Sequence, residues 1–190
     1  MYLIRHGETD WNRRHALQGR LNTPLNANGI AQAQAAHEKM TGVRFDAVYA
    51  SPLQRAVTTA SIAAGVVPAK ICKDARLTEI AFGVWEGLEM ASLGDAFAPF
   101  FNAPEQYIPP ENGEDFAALL LRTGEFLQMI QTQHAGECVL AASHGAATAA
   151  LLLQVRGLPL TRFWATPVHN CQIFKLTAEN GQWLEANAAL

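Results

Sequence analysis

The sequence predicts an α/β protein: a three-layer α/β/α sandwich on a mostly parallel central sheet, with an antiparallel strand near the C-terminal end. Short apolar runs of strand length alternate with longer amphipathic segments, which is typical of strand–helix–strand units. The last two apolar runs flank Asn180 and Gly181, a dipeptide that favours a hairpin turn and antiparallel pairing. A chain of 190 residues, 49% of them hydrophobic, can bury one full core. We therefore expect one domain over residues 1–190, with residues 88–112 as a small cap or lid.

The predicted elements follow one another in a regular order. Apolar runs predict strands at residues 2–5, 47–50, 69–72 and 139–143, and a terminal hairpin over residues 170–176 and 183–187. Helical periodicity predicts helices at residues 27–40, 52–64, 91–101, 115–133 and from residue 145 onward. Glycine and proline residues mark residues 11–25 and 103–113 as loops, and the second of these loops belongs to the expected lid.

Local patterns indicate where particular side chains lie. The helix at residues 27–40 is amphipathic, and its buried face is expected to carry Ile30, Ala33, Ala36 and Met40. Residues 51–54 have the pattern of a capping box with proline at the first helical position, which places Arg55 in the first turn of a helix. The start of a helix favours an anion, and a guanidinium there adds donors for phosphate or carboxylate.

Composition and charge exclude several classes of function. A net charge of −3 argues against nucleic acid or an anionic membrane as a partner. The longest apolar stretch, residues 145–155, is too short to span a bilayer, and no basic and apolar signal segment precedes the first strand. Three cysteines without CxxC spacing, Cys72, Cys138 and Cys171, are predicted to be buried free thiols in a reducing compartment. We expect a cytoplasmic protein, either a monomer or a homodimer.

Two of the predicted strands end in the same His-Gly pair. His6 and Gly7 follow the first strand, and His144 and Gly145 follow the strand at residues 139–143. The carboxyl ends of parallel strands meet at one edge of a sheet, where ligands bind in open α/β folds. We therefore expect His6 and His144 to approach each other. With Arg5 beside His6, this arrangement suggests a site for a compact dianion, and phosphate fits best.

These residue types can perform phosphoryl transfer. Arg5 and Arg55 would hold the nonbridging phosphate oxygens, and His144 would donate to the same group. The positive charges would also lower the pKa of His6, so that its imidazole stays neutral and nucleophilic. The sequence thus predicts a phosphohistidine intermediate on His6.

Departure of an alkoxide requires a proton donor. Glu79 and Glu86 lie among large apolar residues, a setting that favours the neutral carboxyl that a general acid needs. Either glutamate could serve. Glu79 is the candidate that we assign to protonate the leaving group and then to take a proton from the hydrolytic water.

The candidate residues fall within four ordered motifs that extend along most of the chain. The motifs are residues 3–9, Leu-Ile-Arg-His-Gly-Glu-Thr; Ser51, Pro52, Leu53, Arg55 and Ala56; Leu77, Glu79, Gly83, Trp85, Glu86 and Gly87; and Ser143, His144 and Gly145. Together they resemble the signature of the histidine phosphatase superfamily, also called the phosphoglycerate mutase-like family. The sequence departs from many relatives at Asn22, where aspartate is common, and at Asp115, where serine is common, which bears on substrate identity.

The resemblance implies a role for each matching residue. His6 would be phosphorylated and Glu79 would be the general acid and base. The phosphoryl group would be bound by Arg5, Arg55 and His144, with Gly145 beside them, and the pocket would be lined by Asn12, Gln18 and Gly19. The implied substrate is a small phosphorylated metabolite, and neither a cofactor nor a metal is implied.

Three other classes of function stay open. A metal hydrolase is disfavoured because arginines beside the histidines would repel a divalent cation and because no HExxH motif is present. A serine hydrolase could use Ser143, since residues 141–145 imitate a nucleophile elbow, but no acidic residue lies between Ser143 and His169. A noncatalytic phospholigand-binding protein would bind phosphate without turnover.

Within the family, the alternative to a phosphatase is phosphoglycerate mutase-type phosphoryl transfer. Cofactor-dependent mutases resemble longer chains with insertions over the site, and 190 residues leave little room for them. We therefore expect a metal-independent phosphatase that acts on small phosphate monoesters. Residues 88–112 are expected to determine which ester stands over the phosphate.

Overall fold

A computed structural model describes residues 1–186 and confirms the predicted α/β architecture. Six strands form one sheet: β1 (Tyr2–Arg5), β2 (Ala47–Ala50), β3 (Cys72–Lys73), β4 (Val139–Ser143), β5 (Ile173–Glu179) and β6 (Gln182–Glu185). Their order is β3-β2-β4-β1-β5-β6. The first four strands are parallel, and β5 and β6 are antiparallel. The terminal hairpin is thus present, although Asn187 of the predicted range lies outside the described residues.

Helices cover both faces of the sheet. They are α1 (Asp10–Arg13), α2 (Ala27–Lys39), α3 (Gln54–Ala64), α4 (Met90–Leu93), α5 (Ala98–Asn102), α6 (Phe116–Gln133) and α7 (Gly145–Val155). Side chains alternate along β1, so Tyr2 and Ile4 join a buried cluster with α2 and α3, whereas Leu3 joins a cluster with α6 and α7. This arrangement is the predicted three-layer sandwich. No described helix has both the length and the apolar character needed to cross a membrane.

The central strand pair places the two His-Gly sequences side by side. β1 and β4 are hydrogen-bonded neighbours, with Arg5 opposite Ser143. The His6 backbone N–H donates to the Ser143 carbonyl at 2.9 Å, which extends the pairing by one residue. His6 and His144 therefore leave the sheet together, as expected from the parallel topology.

Helix α2 corrects one prediction about burial. Its buried residues are Gly29, Ala33 and Ala36, whereas Ile30 is 41% exposed. The helix packs through its small residues because a backbone lies very close: a Cβ atom at Gly7 would fall 2.4 Å from the Gly29 carbonyl oxygen. That close approach turns Ile30 toward solvent.

Helix α3 begins without the predicted capping box. It starts at Gln54, and the residue before it, Leu53, provides no side-chain cap. The Ser51 hydroxyl accepts from the Leu53 N–H at 3.3 Å and so stabilises the turn that precedes the helix. Arg55 still lies in the first helical turn, as predicted.

Several boundaries also differ from the prediction. The helix expected at residues 91–101 is divided into α4 and α5, because Gly94 has a φ of +50° that an α-helix does not accommodate. The third strand starts only at Cys72, since residues 68–70 form a 3₁₀ turn. All three cysteines are free, but none is fully buried as predicted: Cys72 is exposed, and Cys138 and Cys171 are half-buried.

The segment at residues 88–112 packs beside the carboxyl edge of the sheet. Isolated bridges pair Ala16 with Glu89 and Phe82 with Gly113, and so fix the two ends of the segment. Its interior is held by an aromatic cluster in which Phe100 lies 4.9 Å from Phe97 and 5.2 Å from Phe116 between ring centroids. The cap segment is therefore anchored to the body of the protein at both ends and along its length.

Candidate active site

A cleft of about 270 Å³ opens at the carboxyl ends of β1 and β4. The sequence-predicted residues that line it are Arg5, His6, Asn12, Gln18, Gly19, Arg55, Glu79 and Gly145. His144 is fully buried beside them, and its ring centroid lies 5.1 Å from that of His6. The structure thus brings together every residue of the predicted site.

His6 is held in one orientation by the backbone. Its Nδ1 lies 2.7 Å from the Gly7 carbonyl oxygen, and because a carbonyl only accepts, Nδ1 carries the hydrogen. Gly7 is itself fixed, since its N–H donates to the Thr59 hydroxyl at 3.0 Å. Burial, followed by the charges of Arg55 and Arg5, holds the pKa of His6 well below its usual value. The imidazole is therefore neutral at neutral pH, with a free lone pair on Nε2.

His144 is a second neutral imidazole. Its Nδ1 accepts from Arg55 Nε at 3.2 Å, so the hydrogen of the neutral ring resides on Nε2. Burial, then the charge of Arg55, lowers its pKa well below the usual value. Within the described part of the chain, the buried Nε2 has no hydrogen-bond partner. It is thus a buried N–H donor that a ligand oxygen would satisfy.

Arg55 connects α3 to the loop that follows α1. Its guanidinium donates to the carbonyls of Leu21 at 2.6 Å and Gly19 at 2.8 Å. Burial lowers the pKa of Arg55 to about 10, so it keeps its positive charge at neutral pH. Several of its N–H groups donate to acceptors within the protein. Arg55 would therefore stabilise a bound anion in two ways, through its positive charge and through the loop that it positions.

Arg5 provides the second cation of the site and is half-buried. One of its terminal nitrogens donates to the Val168 carbonyl at 2.5 Å, which fixes the guanidinium at the side of the cleft. Among the described residues, its buried Nε has no partner. Burial lowers its pKa and the charge of Glu79 opposes that change. Arg5 and His144 therefore each leave one buried donor unpaired in the same region.

The side chain of Glu79 contacts the first turn of α7. Its Oε1 accepts from the N–H groups of Ile80 at 3.0 Å and Ala147 at 3.1 Å, and its Oε2 accepts from Ala146 at 3.3 Å. The carboxylate thus lies against the first turn of the helix, beside Gly145, where a Cβ atom would be in ordinary contact with Oε2 at 3.4 Å. Of the two oxygens, Oε2 makes the fewer contacts with the protein.

Glu86, the other candidate acid, has a different position. Its Oε1 accepts from the N–H groups of Arg20 at 2.9 Å and Phe82 at 3.1 Å. A Cβ atom at Gly19, where φ is +47°, would lie only 2.0 Å from the same oxygen. Glu86 does not line the cleft. It stabilises the loop that carries Gly19, and Glu79 is the carboxylate at the site.

Two neighbouring polar residues complete this loop. The Gln18 side-chain oxygen accepts from the Thr23 hydroxyl at 2.6 Å. Asn12 and Thr9 form a reciprocal capping box at the start of α1, with bonds of 3.1 and 3.2 Å. Residues 11–25 were predicted to form an irregular loop. The first of them instead belong to the short helix α1, which positions Asn12.

Ser143 is not placed as a nucleophile. It is fully buried at the end of β4, and its hydroxyl donates to the Leu77 carbonyl at 2.7 Å. It does not line the cleft, which argues against the serine hydrolase alternative. Within residues 1–186, no three His, Cys, Asp or Glu side chains are grouped closely enough to hold a metal ion.

Aromatic residues line the outer part of the cleft. Phe100 and Phe101 do so, whereas Tyr107 is buried against Phe100 and Phe116. Trp164 also lines the cleft. It packs on the cap segment at the same time, because its indole N–H donates to the Phe100 carbonyl at 2.6 Å.

Sequence reasoning missed residues that act through the backbone of the site. The Asn170 side chain donates to the His6 carbonyl at 2.8 Å, and Thr59 supports Gly7 from α3. No local pattern marks either residue, because each acts on a backbone group distant in sequence. The sequence gives one indication for Thr59, its position one helical turn after Arg55. In the structure the Thr59 hydroxyl donates to the Arg55 carbonyl at 2.7 Å.

Comparison with known sequences gives a consistent result. A family model described as the histidine phosphatase superfamily (branch 1) matches residues 1–188. A probable phosphoglycerate mutase from Proteus mirabilis is 32% identical over 189 residues, which cover 97% of this chain and 87% of that protein. An adenosylcobalamin/alpha-ribazole phosphatase from Escherichia coli is 34% identical over 169 residues, which cover 86% of this chain and 82% of that protein.

Solved structures show the same similarity in three dimensions. YhfR from Bacillus stearothermophilus superposes with a TM-score of 0.90 at 33% identity, covering 97% of this chain and 94% of that one. A variant phosphoserine phosphatase from Entamoeba histolytica, in complex with phosphoserine, superposes with a TM-score of 0.87 at 28% identity, covering 98% and 94%. The sequence motifs, the fold and these matches agree: the chain belongs to branch 1 of the histidine phosphatase superfamily.

Proposed function

We propose that this protein is a metal-independent phosphatase that hydrolyses small phosphate monoesters through a phosphohistidine on His6. The observation that carries the proposal is the pairing of a neutral, oriented His6 with buried donors at Arg5 and His144 that have no hydrogen-bond partner among residues 1–186. A phosphoryl group beside His6 would satisfy those donors. The guanidinium groups of Arg5 and Arg55 would also compensate its negative charge, which favours an anion over a metal cation.

The first chemical step is transfer to the enzyme. His6 Nε2 attacks phosphorus, the bond from phosphorus to the ester oxygen breaks, and the departing oxygen takes a proton from the carboxyl group of Glu79. Oε2 is the oxygen assigned to carry that proton, because it makes one contact of 3.3 Å whereas Oε1 makes two shorter ones. The products are a free alcohol and phosphorylated His6.

The second step restores the enzyme. Water attacks phosphorus, its proton passes to the Glu79 carboxylate, and the bond from phosphorus to Nε2 breaks to release inorganic phosphate. Arg5, Arg55 and His144 contact the phosphoryl oxygens in both steps and stabilise the charge that develops on them. Glu79 ends protonated, as it began.

The test of this mechanism is a pair of histidine variants. His6→Ala is expected to abolish phosphate release and ³²P labelling from a labelled monoester, because the variant lacks the nitrogen that attacks phosphorus in the proposed mechanism. His37→Ala, which replaces an exposed histidine on α2, serves as the matched control and should keep full activity. Hydrolysis and labelling at wild-type rates in His6→Ala would overturn the proposal. Retained phosphate binding without any turnover by the wild-type protein would indicate a noncatalytic binding protein.

A mutase activity is the second candidate function, supported by the relatives named as probable phosphoglycerate mutases. The same preparation should be assayed for conversion of 3-phosphoglycerate to 2-phosphoglycerate beside phosphate release. Isomerisation faster than release would favour the mutase. A cytoplasmic location is supported by the three free cysteines, which suit a reducing compartment.

A further inference from the structure

We propose that the outer half of the cleft selects monoesters whose alcohol is aromatic or bulky and apolar, and disfavours those whose alcohol carries a carboxylate. This inference rests on the proposed phosphatase function, since it concerns the leaving group at the same site. It names a substrate class, whereas the mechanism on His6 applies to any monoester.

The composition of the cleft wall is the first argument. Beyond the phosphate end, apolar side chains predominate, among them Leu17, Met90, Phe97, Phe100, Phe101 and Trp164. In the described part of the chain, Arg5 and Arg55 are the only arginine or lysine residues that line the cleft, and both lie at the phosphate end. A carboxylate on the alcohol would lose water without gaining a cationic partner, which is unfavourable.

The one polar group of Trp164 is already engaged, which is the second argument. The indole N–H of Trp164 is its only hydrogen-bond donor, and it donates to the Phe100 carbonyl at 2.6 Å. Trp164 therefore offers a bound alcohol its ring and no hydrogen bond.

The position of Phe101 is the third argument. It lies near the end of α5 and is 46% exposed, although its ring contacts Phe100 and Trp164 at centroid distances of 5.1 Å each. A substrate ring that covers Phe101 would remove apolar surface from water on both partners and add an aromatic pair. The exposed ring at the mouth of a phosphate site is thus suited to bind the group attached to that phosphate.

The test compares three esters of aliphatic alcohols, so that leaving-group chemistry stays similar: 2-phenylethyl phosphate, ethyl phosphate and 3-phosphoglycerate. The value of kcat/KM for 2-phenylethyl phosphate should exceed the other two by about 10- to 100-fold, the range that burial of one phenyl ring provides. Equal values for the three esters, or a preference for 3-phosphoglycerate, would overturn the inference.

Variants at one position test the assigned residue. Phe101→Ala should lower the ratio of kcat/KM for 2-phenylethyl phosphate over ethyl phosphate by about 10-fold, since ethyl phosphate does not reach the ring. Phe101→Arg should raise the relative activity toward 3-phosphoglycerate by supplying a cation. Ile108→Ala is the matched control: Ile108 is 82% exposed in the same cap segment and does not line the cleft, so its ratio should not change.

Two kinds of failure are distinguishable. If Phe101→Ala lowers kcat/KM for all three esters equally, the residue has a structural role and the inference is wrong, while the phosphatase function stands. If the wild-type protein releases phosphate from none of the esters and His6 is not labelled, the proposed function itself is wrong.

Discussion

At the scale of single residues, the site depends on buried side chains whose hydrogen bonds fix their protonation. The Gly7 carbonyl places the hydrogen of His6 on Nδ1, and Arg55 Nε places that of His144 on Nε2. One ring is thereby prepared to attack and the other to donate. The sequence located both histidines because each follows a strand that ends at the same sheet edge. It did not locate Asn170 or Thr59, whose contacts with backbone groups join segments distant in sequence.

The lowered pKa values of His6 and His144 predict how stability depends on pH. Above about pH 6.5 both histidines are neutral in the folded and unfolded states, so they add no pH dependence. Below that pH the unfolded chain binds protons that the folded protein excludes, and the free energy of unfolding falls by about 1.4 kcal/mol per pH unit for each histidine. Urea denaturation between pH 7.5 and 5 measures this slope.

The variant His144→Gln separates the contribution of the histidines to the pH dependence of stability from the contribution of the carboxyl groups. The variant should lose about 1.4 kcal/mol per pH unit of the wild-type slope below pH 6, whatever its stability at pH 7.5. The exposed control His37→Ala should keep the wild-type slope. An unchanged slope in His144→Gln would contradict a neutral, buried His144.

At the scale of elements, helix ends and small residues determine where the predictions succeed. The helix predicted at residues 115–133 is α6, and Asp115 caps it by accepting from the Ala118 N–H at 2.8 Å. Strong periodicity and a polar cap made that helix predictable. Residues 91–101 have a helical pattern too, but the left-handed Gly94 divides them, and the Gly94 conformation follows from packing of the cap segment rather than from local preference.

The cap of α6 gives a prediction at this scale. Asp115→Ala is expected to lower the free energy of unfolding by about 1 kcal/mol, because one N–H of the first turn loses its acceptor. Asp115→Asn keeps a side-chain oxygen at that position and should stay within about 0.5 kcal/mol of the wild type. Chemical denaturation of the three proteins measures the difference. Equal losses in both variants would indicate that the charge of Asp115, rather than the cap, is what stabilises the helix.

At the scale of the whole molecule, the sheet divides the core into two faces and the cap segment adds a third cluster above the edge. This third cluster contains the aromatic residues of the cap together with Leu119 on α6. Alternation along each strand made the two sheet faces predictable. The aromatic cluster could not be predicted from the sequence, because residues 97–107 pack against α6, α7 and residues 163–164 only in the folded chain.

Two leucines on one helix test the importance of this core. Leu119 is fully buried in the cluster, whereas Leu121 is 68% exposed. Leu119→Ala should lower the free energy of unfolding by about 2–5 kcal/mol through lost burial and a cavity. Leu121→Ala, the same chemical change, should alter it by less than about 0.5 kcal/mol. Similar losses in guanidinium denaturation of both variants would contradict the described packing of α6.

The order of strands in the sheet has a consequence for how the protein acquires activity. β1, which leads directly into His6, pairs only with β4 and β5, and both come late in the chain. β1 therefore stays unpaired at least until β4, at Val139–Ser143, has been made, and its pairing closes a very long loop, which slows folding. The nucleophile obtains its buried neighbours only in that step. Labelling of His6 during refolding would consequently follow closure of the central sheet and not the earlier formation of local helices.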